Sequence, residues 1–149
     1  MGGLLWKEVA ERFASERICW LHTTGPSGEP NATPVWCVSL LEVLYFYTHS
    51  GTVKARNLDR NPLVAVHLES GSDVLIVQGS LIYMGLPSQH PDVTDLFAEK
   101  YDHPEDRPFL PSADPIYDVL YSLEPRRAVA WTLPDSEASS RRWNAAELG

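Results

Sequence analysis

Leu5, Val9 and Phe13 recur every four residues, with Lys7, Glu8, Glu11 and Arg12 between them. That is the period of a short helix lying on a core by one face. From Ile18 the period shortens. Ile18 to Thr24 is rich in β-formers, residues 25 to 30 (Gly-Pro-Ser-Gly-Glu-Pro) form a turn, and Asn31 to Leu40 is extended again, which predicts a β-hairpin. Pro34 cannot donate to a ladder, so its strand should lie at an edge or carry a bulge there. Backbone groups beside Pro34 can then face a groove.

A third strand over Leu44 to His49 runs into Ser50-Gly51-Thr52, where a helix of about two turns starts and Asn61-Pro62 stops it. Leu63 to Glu69 and Val74 to Tyr83 predict a second hairpin around Ser70-Gly71-Ser72-Asp73. Val93, Leu96, Phe97 and Tyr101 place one buried face on a helix over residues 91 to 102. Four prolines between 104 and 115 mark an irregular connection, and Tyr117 to Leu123 and Ala128 to Leu133 predict two final strands. About seven short strands with few helices and no repeats predict a mainly β fold, an antiparallel barrel with peripheral helices.

A length of 149 residues with 44% hydrophobic positions supports a single domain over residues 1 to 149 with a sizeable core. A net charge of −8 argues against a nucleic-acid footprint or adhesion to anionic lipid. No run reaches the length of a membrane span and the N-terminus lacks a basic region followed by an apolar one, so the expected location is cytoplasmic. Cys19 and Cys37 form no paired motif and read as free buried thiols. The acids are concentrated in residues 88 to 124, nine against two bases, and read as a solvated face. Residues 51 to 60 form a basic island with Lys54, Arg56 and Arg60.

The chemistry the residues allow is narrow. The metalloprotease, dinucleotide, phosphate-loop and nucleophile-elbow motifs are missing, and the five histidines show no ligand spacing, so no metal site and no acid–base constellation is expected. The run from Tyr47 to Pro62 is different. Free N–H groups at a helix start, the hydroxyls of Thr48, Ser50 and Thr52, and the ammonium of Lys54 together suit a phosphate, with Asn57 on the same helical face as Lys54. From spacing alone an ordinary capped connector with surface cations explains the run equally well.

The pattern T-x-S-x-x-x-K-x-x-N-L-x-R-N-P over Thr48 to Pro62 resembles the cofactor-phosphate segment of the pyridoxamine 5′-phosphate oxidase-like split β-barrel family. Gly28-Glu29-Pro30 followed by Asn31 to Trp36 resembles the turn and strand that present backbone to a flavin ring, and Val77-Gln78-Gly79 a later strand ending in a small residue. Tyr117, Leu123-Glu124-Pro125, Val129-Ala130-Trp131 and Arg141-Arg142-Trp143 resemble the branch that includes deazaflavin-dependent reductases, although Ser139-Ser140 departs from the usual proline-threonine.

The resemblance implies a homodimer with two cofactor sites at the interface and FMN or the deazaflavin coenzyme F420 as cofactor, with haem bound by some relatives. Thr48, Ser50, Lys54 and Asn57 would anchor the phosphate, and Thr33, Pro34, Val35 and Trp36 would line the ring. Arg56, Arg60, Arg141 and Arg142 are candidate cations for an anionic tail, and Trp36, Tyr83 and Trp143 candidates for a substrate wall. The implied activity is hydride transfer between the cofactor and a small organic substrate, with a cofactor-binding protein that lacks turnover as the alternative.

Overall fold

The computed structural model describes residues 3–148. Helix α1 spans Trp6–Ser15 and buries Val9, Ala10 and Phe13, the face its period predicts. Strands β1 (Cys19–Thr24) and β2 (Pro30–Val35) form the first hairpin, followed by β3 (Val38–Leu40), β4 (Val43–Thr48), helix α2 (Val53–Arg60), β5 (Leu63–Leu68), β6 (Asp73–Tyr83) and helix α3 (Pro91–Lys100). Strand β7 (Val119–Thr132) and β8 (Arg141–Asn144) complete one antiparallel sheet, ordered β2-β1-β5-β6-β7-β4-β3 with β8 on β7.

The outermost strands of that order, β2 and β3, are joined by only two residues, Trp36 and Cys37. A two-residue link cannot cross an open sheet of seven strands, so the sheet must curl until its edges meet. This is the expected mainly β barrel with helices around it. The inner face is continuous. In register across the sheet run Thr33, Leu21, Val66, Val77, Ala128 and Trp143, with α1 packed over one end.

Two strand predictions need correction. The extended run Asn31 to Leu40 is broken at Trp36–Cys37, because its second half pairs with β4 through the tight turn Leu41–Glu42 and not with β1. The two final strands are one: Pro125 does not interrupt β7. It lies between the segment that pairs with β4 and the segment that pairs with β8, so no ladder on that side needs its missing N–H. On the other side it faces Gly79 at a bulge, where a Cβ would fall 2.3 Å from the Glu124 carbonyl oxygen. Pro34 lies on the edge strand β2, exposed, as its missing donor requires.

Candidate functional site

The break after β2 creates the site. Pro34, Val35 and Trp36 turn the corner and form one wall of a cleft of about 260 Å³, closed by Tyr47, Thr48, Lys54, Phe109 and Tyr117. Helix α3 holds that corner in place. Its terminal Tyr101 lies under Trp36 with ring centroids 4.2 Å apart and planes within 5°. The Tyr101 hydroxyl accepts from the Cys37 N–H at 3.0 Å and donates to the Arg17 carbonyl at 2.8 Å, while Lys100 donates to the Cys37 carbonyl at 2.6 Å. Burial pushes the Tyr101 phenol up, so it stays neutral. Trp36 is therefore a rigid wall, fixed from behind by a helix that the sequence reading treated only as an amphipathic cover.

The opposite wall grows from the end of β4 into α2. Thr52 is the N-cap of α2: its hydroxyl accepts from the Ala55 N–H at 3.2 Å and donates to the His49 carbonyl at 2.9 Å. The Thr48 hydroxyl lies 3.5 Å from that of Thr52. Lys54, on the first turn of α2, is half-buried, and burial lowers its pKa. It is the one charged side chain in the lining, and among the described residues no acid pairs with it. An ammonium drawn out of water beside helix N–H groups and hydroxyls, with no carboxylate of its own, suits an anion.

The other anchors expected from the sequence are engaged elsewhere. The Asn57 side chain is 2% exposed, and its amide donates to the Thr23 hydroxyl at 3.1 Å, tying α2 to β1. The Ser50 N–H and hydroxyl both donate to the Asp118 carboxylate, at 2.8 and 2.9 Å. Arg56 folds back onto the Gly51 carbonyl at 2.7 Å, Arg60 reaches Asn57, and Arg141 pairs with Glu8 at 3.1 Å.

Arg142 and Trp143 are not brought to this cleft. As neighbours on a strand their side chains point to opposite faces, although both residues border one separate groove along β7 and β8. Trp143 is 5% exposed in the core, its ring 4.9 Å from that of Trp6 with the planes tilted by 41°. Arg142 stands on the outer face, in register with Val129, Ile76, His67 and Trp20, and lines a separate groove with Arg127 and Gln78. Thr33 faces inward at the far end of the row that ends in Trp143. The Thr33 hydroxyl and the Trp143 indole N–H are both buried without a partner among the described residues. Tyr83 is exposed beside Tyr121, away from the cleft.

Three lining residues were missed by the sequence reading. Tyr47 alternates away from the core and packs edge-on against Phe97 and Tyr117, its hydroxyl donating to the Phe109 carbonyl at 2.6 Å. Phe109 and Tyr117 come from the proline-rich connection. Their signal was the aromatic series Tyr101, Phe109, Tyr117 at intervals of eight within the acidic stretch.

The described residues contain no helix long and apolar enough to cross a membrane. Among curated protein sequences none matches the chain. Solved structures do. An F420 reductase is similar at 25% identity with a TM-score of 0.62, over 79% of this chain and 94% of that one. A Clostridium acetobutylicum protein related to general stress protein 26 matches at 13% identity and a TM-score of 0.69, over 97% and 96%. The haem storage protein of Vibrio cholerae matches at 18% identity and 0.61, over 83% and 92%. The sequence profile of pyridoxamine 5′-phosphate oxidase matches residues 5–106, and the chain belongs to that family.

Proposed function

We propose that the protein is an oxidoreductase that binds FMN or coenzyme F420 in the Lys54 cleft and works as a homodimer on a small organic substrate. The observation that carries the reading is Lys54: a half-buried cation lining a concave surface with no acidic partner among the described residues. Lys54 and Thr48 would hold the cofactor phosphate, and the Pro34–Trp36 corner would set the plane of the ring against the fixed Trp36. When bound, a reduced flavin or deazaflavin supplies the hydride. The chain's own residues bind, orient and keep the reacting face dry. The Tyr47 hydroxyl is committed to Phe109 and its pKa is pushed up by burial, so no proton donor is assigned from the lining.

A second copy is part of the proposal for two reasons. Ligand pockets start at about 300 Å³, and the cleft of one chain, at about 260 Å³, falls short. Its rim also leaves Phe109 56% exposed and the neighbouring Ile116 51% exposed. The outer sheet face, with Trp20, Ile76, Val129 and Trp131 only partly covered, offers the apolar surface that a partner would bury.

The test is a calorimetric titration of the protein with FMN and with F420, run at a concentration where sedimentation gives the mass of two chains. Lys54→Ala should weaken binding by about 10- to 100-fold, the range for losing one charge-assisted hydrogen bond. Unchanged affinity would remove Lys54 from the ligand, and a monomer that binds equally well would remove the partner. Apart from Lys54, which the phosphate would claim, the lining holds no free acid or base, which also suits a cofactor-binding protein without turnover. Oxidation of bound reduced cofactor by candidate acceptors separates the two.

A further inference from the structure

The loop between β4 and α2 already holds an anion of the chain's own. Asp118 places Oδ1 2.8 Å from the Ser50 N–H and Oδ2 2.9 Å from the Ser50 hydroxyl. The carboxylate thus grips one backbone and one side-chain donor, the contacts by which a phosphate oxygen pair would be held there. Ser50 and Asp118 stand just outside the cleft: Ser50 follows Thr48 by two residues and precedes the Thr52 cap by two, and Asp118 lines an adjoining cavity that shares Tyr117 with the cleft. One end of the predicted cradle is therefore filled, and the other end offers Thr48 and a single cation.

We infer that Asp118 sets the charge class of the ligand: the cleft accepts a phosphodiester, which carries one negative charge, in preference to a phosphomonoester, which carries nearly two. This rests on the proposal that the Lys54 cleft binds a cofactor phosphate. A monoester at neutral pH carries about −1.5 to −2. Lys54 neutralises one charge, and the Ser50 donors that would stabilise the remainder are occupied by a carboxylate of the same sign. A diester asks only for what Lys54 supplies. Of the two coenzymes considered, F420 carries its phosphate as a diester and FMN as a monoester, so at the phosphate position Asp118 disfavours FMN; the tail carboxylates of F420 lie outside this count.

The experiment keeps the ring constant. The wild-type protein is titrated with riboflavin, with FMN, and with the methyl ester of FMN, the same ring on a phosphodiester. The methyl ester should bind at least about fivefold more tightly than FMN, the scale of one poorly compensated surface-level charge. Asp118→Asn should then strengthen FMN by about tenfold while moving riboflavin by less than about twofold. Asp118→Ala serves if the amide variant melts early. Equal wild-type affinity for FMN and its methyl ester, or a variant that shifts all three ligands by one factor, overturns the inference and leaves the Lys54 reading standing. If neither phosphate compound binds more tightly than riboflavin, the anion-binding cleft itself has failed and takes the inference with it.

Discussion

The Lys54 cleft and the outer face of the sheet both carry cations that no acid neutralises. Among the described residues, Lys54 on one side and Arg126, Arg127 and Arg142 on the other have no carboxylate partner. They differ in enclosure. The three arginines are exposed and keep their hydration, whereas Lys54 sits half-buried between a helix start and an aromatic corner, where burial lowers its pKa. An exposed cation is satisfied by water and says little about ligands. A partly desolvated one in a concave site has lost that water without gaining a counter-charge, and so points to a binding partner.

Three measurements sharpen that contrast. The largest effect is expected in the buried inner row of the sheet. Trp143→Ala empties the inner row beside Trp6 and should cost about 3–5 kcal/mol, read as a shift in the denaturant midpoint at constant slope. At temperatures where the variant stays folded, its cofactor affinity should match the parent. Parental stability with lost affinity would return Trp143 to the ligand.

The next effect concerns pH. Lys54 must carry its proton to hold an anion, and its pKa lies below the ordinary lysine value because burial disfavours the charge. Affinity should therefore be full at neutral pH and fall as pH rises through that lowered value, approaching tenfold per unit. A Lys54→Gln variant should show a flat profile over the same range. An alkaline decline of equal size in that variant would assign the titration to another group.

The smallest effect belongs to the outer face. Arg142→Ala should weaken cofactor binding by no more than about threefold at low salt, and the difference should vanish near 0.5 M salt, as expected of an exposed and screened charge. A salt-resistant loss of tenfold or more would mean that Arg142 is enclosed by the partner chain.

Much of the fold was legible along the chain. The four-residue period of α1, the Pro62 stop after α2 and the β-forming runs of β1, β5 and β6 all reappear in the structure within a residue or two. What escaped the reading lacked a local signal. The Leu41–Glu42 turn takes positive φ at both residues, 51° and 66°, without the asparagine or glycine that usually announces it, so the β3–β4 hairpin was hidden inside a longer strand. Pro125 looked like a strand end because its tolerance depends on which side of β7 is unpaired, a fact about the neighbours and not about Pro125.

The candidate site divides in the same way. Pro34, Val35, Trp36, Thr48 and Lys54 were named from the sequence, and the structure gathers them in one cleft. Asn57 and Ser50 had the right spacing, yet Thr23 and Asp118, 34 and 68 positions away, claimed their polar groups. Arg142 and Trp143 were read as a pair, but strand alternation separates them.

Periodicity, breakers and residue chemistry were enough to establish a β-rich chain with a cationic turn after its third predicted strand, because each depends on neighbours a few residues apart. Which hydroxyls and amides remain free to bind depended on contacts between distant segments. The closing of the sheet at Trp36–Cys37 brought α3 and the proline-rich connection against that turn, and a hydrogen-bonding group already taken by such a contact is no longer available to a ligand.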